Sequence, residues 1–364
     1  MFEIAFRQHI NQIMPYIPGK PIEEMARELG LIDTAQLASN ENPFGPSPKA
    51  IEAILKELQR INRYPESGCY YLVEKLSSFL KIPKEHLIVG NGSNELIDFA
   101  CRVLLEPGDE VVTAEHAFAM FKQMTQANAG VVIEVPQSGD FVFDVVRMAG
   151  RVTEKTKIIF IANPNNPTGT YASRDELDAM FSLLKNKKVL VVLDEAYLEY
   201  VDARDYPYAI DYFNTFENVF VIRTFSKVYG LAGLRIGYGF GSRELISQMY
   251  KIKQTFNVNR VGQVAATAAL DDQGFVKKVR DATLSGRALL SSLFEEIGLK
   301  YLPSQANFVM VKFGSRAGEI YNQLLKKGVV VRPMNMYQLP EWARVTIGTA
   351  EENQRFVEAL QEIL

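Results

Sequence analysis

A glycine-rich turn, GNGSNELI at residues 90–97, follows a short apolar run and leads into a helical pattern. The backbone N–H groups at such a helix start are free and suit a phosphate. We therefore predict that Gly92, Ser93 and Asn94 cradle a phosphate. Two alternatives stay open at this point: an ordinary strand-to-helix turn, and a dinucleotide site with Glu115 as its ribose-binding acid, although the last glycine of that fingerprint is missing.

Two further apolar runs end in polar residues. In IIFIANPNNPTG, Asn166 stands among prolines and a glycine that favour an irregular backbone at a strand's carboxyl end. Ligands bind at that edge of open α/β sheets, although asparagine beside proline is also ordinary turn chemistry. In KVLVVLDEAYLEY, Asp194 ends the run, where a buried carboxylate needs a partner or a cationic ligand. The alternative for Asp194 is an N-cap of the next helix.

One lysine stands in an unusual context. The run Val219–Arg223 leads into Thr224, Phe225, Ser226 and Lys227, and Arg235 follows in GLAGLRIGY. Most lysines are solvated side chains. This one lies between hydroxyl groups and a glycine-rich apolar segment, which makes it a candidate functional residue.

The elements that must position these residues alternate between strand and helix patterns. Several strand patterns are continuously apolar, as in strands that are buried on both faces of a parallel sheet. The strand patterns are Leu87–Val89, Glu110–Thr113, Val131–Val135, Lys157–Ala162, Val189–Leu193, Val219–Arg223 and Arg235–Phe240. Among the helices between them, one at 174–185 begins with a capping box of Ser173 and Glu176. The sequence predicts an α/β fold whose large domain has a mainly parallel seven-stranded sheet covered by helices.

The pattern changes after about residue 260. A long helical stretch is expected over Gly262–Glu296, followed by short strands and two helices, which is typical of a smaller α+β domain. The opening residues are irregular and proline-rich, and we expect an arm with one strand on the smaller domain. The predicted parts are an arm at 1–48, a large domain at 49–260 and a small C-terminal domain at 261–364.

Composition narrows the class of protein. Forty basic and 43 acidic residues give a net charge of −3, which does not suggest a nucleic-acid or membrane partner. The only cysteines, Cys69 and Cys101, are too few for a disulfide framework and imply neither a structural metal nor an oxidising compartment. The N-terminus lacks a signal-peptide pattern and no apolar stretch is long enough to span a bilayer, so we expect a cytoplasmic location.

The order of these motifs, G-x-G-S-N, N-P-T-G, D-E-A-Y, S-K and then an arginine eight residues on, resembles the fold-type I aminotransferases. MPYIPGKP near the start, NENPFGPSP ending at Pro48, NRYPE at 62–66 and ARVTIGTAEEN near the end are similar to histidinol-phosphate aminotransferases in particular. The resemblance covers nearly the whole chain. It implies pyridoxal 5′-phosphate as cofactor, a homodimer with shared sites, and amino transfer between L-histidinol phosphate and 2-oxoglutarate in histidine biosynthesis. The reaction would be ping-pong, through pyridoxamine phosphate.

The resemblance also implies roles for individual residues. Lys227 would hold the cofactor as a Schiff base and shuttle the substrate proton, which suits a desolvated lysine of lowered pKa. Asp194 would keep the pyridine nitrogen protonated. Asn166 and Tyr197 would bind the ring's phenolic oxygen. The phosphate would be surrounded by Ser93, Asn94, Thr224, Ser226 and Arg235, the last as a bidentate cation.

Two implied contacts bear on the cofactor's surroundings. Tyr64, in NRYPE, resembles a tyrosine that reaches the cofactor phosphate from the neighbouring subunit. Phe118 stands where relatives commonly stack a tyrosine on the pyridine ring. Stacking needs only an aromatic face, so we expect Phe118 to stack without supplying a hydroxyl.

For the substrate anion, the resemblance implies two arginines of the small domain, Arg332 and Arg344. Guanidinium groups suit both a phosphate and the carboxylates of glutamate and 2-oxoglutarate. Tyr16, Asn40 and Asn307 are implied nearby, and for both arginines and Tyr16 the alternative is an ordinary surface role.

Other functions stay open from the sequence. Within the family they are an aromatic amino-acid aminotransferase and a threonine-phosphate decarboxylase. From other classes they are a nicotinamide-dependent Rossmann oxidoreductase and a non-catalytic cofactor-binding module.

Overall fold

The computed structural model describes residues 6–15, 27, 30–31 and 33–364. The helices are α1 (Pro48–Glu57), α2 (Tyr70–Leu80), α3 (Ser93–Leu104), α4 (Ala119–Ala127), α5 (Val145–Gly150), α6 (Arg174–Leu184), α7 (Ala209–Phe213), α8 (Arg243–Ile252), α9 (Arg260–Ala269), α10 (Gln273–Glu296), α11 (Ala317–Lys326) and α12 (Ala350–Ile363). The strands are β1 (Ala35–Leu37), β2 (Leu87–Gly90), β3 (Glu110–Ala114), β4 (Val131–Val135), β5 (Thr156–Ala162), β6 (Leu190–Asp194), β7 (Val219–Thr224), β8 (Gly237–Phe240), β9 (Tyr301–Leu302), β10 (Phe308–Lys312), β11 (Val329–Pro333) and β12 (Trp342–Thr346). Short 3₁₀ turns lie at Gln8–Gln12, Leu58–Arg60, Lys84–His86, Leu198–Tyr200, Ala232–Leu234, Gly314–Arg316 and Asn335–Tyr337.

The larger sheet has seven strands in the order β2-β8-β7-β6-β5-β3-β4. Strands β3 to β7 pair in parallel, and β8 is antiparallel to both of its neighbours. The inner strands β5, β6 and β7 are almost entirely buried, because helices cover both faces of such a sheet. The mainly parallel seven-stranded sheet expected from the sequence is confirmed, and so is the capping box at the start of α6.

The strand order also decides the dinucleotide alternative. In a Rossmann unit the strand that precedes the glycine turn lies beside the strand that carries the ribose-binding acid. Here β2 is an edge strand, and β3, which precedes Glu115, lies next to the opposite edge, with four strands between the two. Glu115 does not line the cavity that Ser93 and Asn94 line, but a neighbouring one of about 590 Å³. It therefore cannot bind the ribose of a ligand whose phosphate sits at Gly92, and that interpretation is wrong.

The smaller sheet has the order β1-β11-β12-β10-β9. Strand β1 pairs in parallel with β11, so the opening segment adds a strand to this sheet, while β11, β12, β10 and β9 pair antiparallel. Helices α10, α11 and α12 bury their apolar faces against it in a second core. No helix in the described residues has the length and apolar run that crossing a membrane requires.

The helical stretch expected over Gly262–Glu296 is not continuous, because the chain breaks into α9 and α10 at residues 270–272. Asp272 causes the break, since its side chain caps α10 by accepting from the backbone N–H of Phe275 and also accepts from the Ser47 hydroxyl at 2.6 Å.

The two cores meet along α10. Its first turns contribute Val276 and Val279 to the core of the large sheet, and its later turns contribute Leu290 and Phe294 to the core of the small one. Helix α9 packs wholly with the large sheet. We propose that the two domains divide within α10, somewhat beyond residue 260.

Candidate active site

A cavity of about 380 Å³ opens at the carboxyl ends of β5, β6 and β7. Each of these buried strands ends in a residue that lines the cavity: Ala162, Asp194 and Thr224. Ten of the residues expected to hold the cofactor line this one cavity: Ser93, Asn94, Phe118, Asn166, Asp194, Tyr197, Thr224, Ser226, Lys227 and Arg235. Parallel strands bring their carboxyl ends to one edge, so distant segments of sequence converge here.

The glycine turn forms one wall of the cavity. Gly92 caps α3 with φ of +83°, a conformation that favours glycine, and a Cβ on it would come within 2.5 Å of Arg235 Nη2. A Cβ on Gly237 would come within 2.4 Å of the Ser93 backbone nitrogen. The two glycines therefore let the start of α3, the Arg235 guanidinium and β8 approach each other closely.

Hydroxyl groups and a guanidinium complete this wall. Thr224 and Ser226 are buried at the end of β7, and the Thr224 hydroxyl accepts from the Ser226 N–H at 3.0 Å. Arg235 lies in the left-handed region at φ of +56° and donates to the Ala232 carbonyl at 3.1 Å. Together with the free N–H groups at the start of α3, these donors form a site with the chemistry of a phosphate cradle.

Lys227 points into the same cavity. Its Nζ donates to the Asn40 carbonyl at 3.1 Å and lies 5.6 Å from the centre of the Tyr197 ring. The pKa of Lys227 is lowered to about 8, first by burial and then by the guanidinium groups of Arg344 and Arg235, which outweigh the opposing effect of Glu41 and Asp194. More of this amine is therefore neutral near physiological pH than of an ordinary lysine, as a nucleophile or a proton acceptor requires.

Asp194 is only 4% exposed at the end of β6. Its carboxylate accepts from the Ala196 N–H at 3.0 Å and has no ion pair within the described part of the chain. Burial raises the pKa of Asp194 to about 7. The next helical turn begins only after Tyr197, so Asp194 does not cap it, and the N-cap interpretation is wrong. A buried carboxylate of this kind fits a cationic N–H group of a bound ring.

Two side chains are oriented by their neighbours. Arg344 donates to the Asn166 Oδ1 atom, which leaves the Asn166 amide N–H groups available to the cavity. The Tyr197 hydroxyl accepts from Asn40 Nδ2 at 3.0 Å, and the Tyr197 ring packs edge-on against Phe308. Both are placed to donate to an acceptor in the cavity.

The expected substrate residues lie on the side of the small sheet. Arg344 is buried on β12, donates to the Ala38 carbonyl at 2.8 Å and lies over the Phe308 ring. Arg332, directly opposite Arg344 in the register of β11 and β12, does not line the cavity, and its guanidinium lies 3.6 Å from Met336 Sδ. Asn307 Nδ2 donates to the Asn40 carbonyl at 3.2 Å.

Gly92, Asn40, Asn307 and Arg344 lie next to residues that line the cavity but do not line it themselves. Two other expected residues need a separate account. Tyr64 is 77% exposed and stacks on Phe256 with ring centres 4.5 Å apart, away from the cavity of its own chain. Tyr16 lies outside the described residues.

The sequence interpretation missed three residues of the site region. Ser39 and Glu41 line the cavity on either side of Asn40. Thr346 bonds to Asn40 from β12. Their signal was adjacency: Ser39 and Glu41 flank a candidate residue, and Thr346 is two positions beyond Arg344 on a strand, where side chains share a face.

Comparison with known proteins defines the class first. Residues 32–360 match the family model described as aminotransferase class I and II. The histidinol-phosphate aminotransferase of Moorella thermoacetica is 45% identical over 359 residues, covering 98% of this chain and 92% of the relative. Histidinol-phosphate aminotransferase 1 of Nitrosococcus oceani is 45% identical over 355 residues, covering 98% and 95%. The chain therefore belongs to the class I and II aminotransferases and, within them, to the histidinol-phosphate aminotransferase family.

Solved structures agree with this placement. The histidinol-phosphate aminotransferase of Sinorhizobium meliloti, crystallised in complex with pyridoxal 5′-phosphate, superposes with a TM-score of 0.89 at 29% identity, covering 98% of this chain and 97% of that one. An aspartate aminotransferase of Thermus thermophilus shares the fold, with a TM-score of 0.85 at 23% identity and full coverage of both chains.

Proposed function

We propose that this chain transfers an amino group between L-histidinol phosphate and 2-oxoglutarate in a ping-pong reaction of histidine biosynthesis. As a member of its family it is a pyridoxal-phosphate-dependent aminotransferase. The observation that supports the reaction most strongly is the single cavity in which Lys227, of lowered pKa, and the buried Asp194 meet a phosphate cradle.

The residues present fit the cofactor. The start of α3, the hydroxyl groups of Thr224 and Ser226, and Arg235 would hold its phosphate. Asp194 would take the cationic ring nitrogen, which relieves the cost of a buried carboxylate. Phe118 lines the cavity and would stack on the ring. When bound, the cofactor supplies a ring that stabilises negative charge at the substrate's Cα.

The protein's own groups then move and hold protons. The neutral amine of Lys227 would take a proton from the substrate's Cα and deliver it to the cofactor's C4′ atom. Asp194 would keep the ring nitrogen protonated, since a nearby negative carboxylate favours the positively charged form of the ring. Asn166 and Tyr197 donate to the ring's phenolic oxygen through the hydrogens that their neighbours leave available.

Arg344 would bind the anionic end of the substrate. It reaches the cavity wall through Asn166 and brings positive charge to a buried site, so an anion that binds there is poorly screened. Arg332, opposite it in register, would join it at a phosphate or a second carboxylate. Asn307 and Asn40 lie beside them, and we propose the same neighbourhood for Tyr16.

A side-by-side assay tests the substrate. Histidinol phosphate, phenylalanine and threonine phosphate are each given with 2-oxoglutarate, and keto product and carbon dioxide are measured. We expect histidinol phosphate to have the highest kcat/KM. Faster turnover of phenylalanine would favour an aromatic aminotransferase, and carbon dioxide from threonine phosphate would favour the decarboxylase. A single half-reaction with glutamate excludes a non-catalytic binding module.

We propose further that the enzyme is a homodimer in which Tyr64 reaches the partner's cofactor phosphate. Tyr64 stacks on Phe256, and both rings are exposed, as are Ile61 and Tyr70 close by in the sequence. Exposed apolar side chains of this kind suit an interface. Mixing Tyr64→Ala with Lys227→Ala subunits tests this, because mixed dimers regain one complete site. We expect activity above that of either parent, up to roughly a quarter of wild type. No gain on mixing, with heterodimers present, would contradict a shared site.

We also propose a cytoplasmic location. Both cysteines are free and buried, and burial raises the pKa of the Cys101 thiol to about 12 and of the Cys69 thiol to about 11. Neither needs an oxidising compartment. Cell fractionation with an activity assay tests it, and activity outside the cytoplasmic fraction would contradict it.

A further inference from the structure

Thr346 makes two hydrogen bonds to one residue. Its hydroxyl accepts from the Asn40 backbone N–H at 3.0 Å and donates to Asn40 Oδ1 at 3.1 Å. Both residues are at most 2% exposed, and Asn40 has φ of +55°. The contact joins β12 to the segment that follows β1, across 306 positions of sequence.

These contacts fix which way the Asn40 amide faces. A hydroxyl has one hydrogen, and because the Thr346 oxygen accepts from the backbone N–H, its hydrogen is free for an acceptor. That acceptor is Asn40 Oδ1, so Asn40 Nδ2 must face the other way, toward the Tyr197 hydroxyl at 3.0 Å. A flipped amide would lose the hydrogen bond that the Thr346 hydroxyl donates to Oδ1, so Thr346 favours the observed orientation.

The orientation of the amide in turn sets the direction of the Tyr197 proton. Because the Tyr197 oxygen accepts from Asn40 Nδ2, its own hydrogen is not used there, and the described residues offer it no other acceptor. Tyr197 lines the cavity beside Lys227. Resting on the function proposed above, we propose that Thr346 is a positioning residue that, through Asn40, aims the Tyr197 hydroxyl proton at the cofactor's phenolic oxygen.

Removing the Thr346 hydroxyl has a defined consequence. The Asn40 amide can then turn, its Oδ1 can accept the Tyr197 hydrogen, and the phenolic oxygen loses a donor. A hydrogen-bond donor at the phenolic oxygen draws electron density from that oxygen. The Lys227 nitrogen, which is bonded to the cofactor next to this oxygen, then holds its proton less strongly. Loss of the donor therefore raises the pH at which that nitrogen deprotonates.

The test is a pH titration of the holoenzyme's visible absorbance. Thr346→Val should move the midpoint upward by about half to one pH unit, the effect of one neutral hydrogen bond. Thr346→Ser keeps the hydroxyl and should titrate like wild type. In a Tyr197→Phe background, whose own midpoint is already raised, Thr346→Val should add nothing. Thr346→Ala replaces the valine variant if that variant does not fold.

The other charges around the site are the same in all of these proteins. The titratable and charged groups that face Tyr197 and the Lys227 nitrogen are Asp194 on β6, Arg344 on β12, Glu41 after β1, Arg235 before β8 and Tyr337 after β11. Differences between the variants therefore report on the hydroxyl contact.

Three results would overturn the proposal. The first is a Thr346→Val protein whose midpoint equals that of wild type. The second is a Thr346→Ser protein whose midpoint shifts as far as that of Thr346→Val, which would indicate a packing effect. The third is a Thr346→Val shift of the same size in the Tyr197→Phe background as in wild type. Failure of the proposed function is distinct from these results. A wrong substrate would show in the substrate assay and leave the titration unchanged, whereas a wild-type protein that does not hold the cofactor on Lys227 would show no titrating visible band at all.

Discussion

Replacing Asp194 by asparagine should stabilise the cofactor-free protein at neutral pH. The carboxylate is 4% exposed, and its burial raises its pKa from 3.8 to about 7. Asparagine has the same shape and can keep the hydrogen bond from Ala196. It removes a charge that the cofactor-free protein must otherwise bury without an ion-pair partner.

The size and sign follow from the pKa. This rise in pKa lowers the free energy of unfolding of the wild-type protein by at most about 4 kcal/mol at high pH. We expect a difference of about 2–4 kcal/mol between the two proteins, since the structure relaxes around the charge. Because the pKa is raised in the folded state, the wild-type protein loses this stability as pH rises from 3.8 through about 7. The advantage of Asp194→Asn is therefore absent near pH 4 and complete near pH ~8. For a chain of 364 residues it amounts to roughly 3–5 °C in Tm.

Thermal unfolding of both cofactor-free proteins across this pH range measures the effect. Adding pyridoxal phosphate should reverse the order, because the cofactor's ring nitrogen pairs with the carboxylate only in wild type. Equal Tm values at pH ~8, or a difference that does not change with pH, would refute the reasoning that Asp194 is held ready for a cationic ligand.

Three further predictions concern other parts of the site and its support. Arg344→Leu should lower kcat/KM for histidinol phosphate by roughly 30- to 1000-fold, because about 2–4 kcal/mol of anion binding is lost. The cofactor content should not change. A smaller loss in steady-state kinetics would argue against the role of Arg344 in substrate binding. Gly92→Ala should weaken cofactor binding at least about tenfold, since its Cβ would meet the Arg235 guanidinium, and a fluorescence titration with wild-type affinity would contradict this. Arg223→Met should destabilise the protein by about 3–5 kcal/mol, because it leaves the buried Glu195 without its partner at 2.7 Å; Glu195→Leu combined with Arg223→Met should unfold at a higher temperature than Arg223→Met alone.

Much of the cavity could be predicted because its residues end buried strands. Asp194 closes β6 and Thr224 closes β7, and parallel strands bring such ends to one edge. The cofactor residues could be predicted for that reason, and Lys227 follows the end of β7 by a few positions. The parallel sheet itself was visible as continuously apolar runs.

The rest depends on contacts that no local pattern encodes. The bonds between Thr346 and Asn40 exist only because β1 and β12 lie in one sheet on either side of β11. The direction of Arg332 was open for a similar reason, since a strand pattern does not say which face meets the cavity. The break before α10 was missed because Leu270, Asp271 and Asp272 include neither glycine nor proline, the usual breakers.

Borohydride reduction of the holoenzyme, followed by peptide mass spectrometry, tests the central claim most directly. The visible absorbance should bleach, and the mass of the reduced cofactor should appear on the peptide that contains Lys227. A Lys227→Arg protein should bind pyridoxal phosphate without being labelled at that position. Label on a different lysine of the wild-type protein, or a visible band that borohydride leaves unchanged, would contradict the assignment of Lys227 and the mechanism built on it.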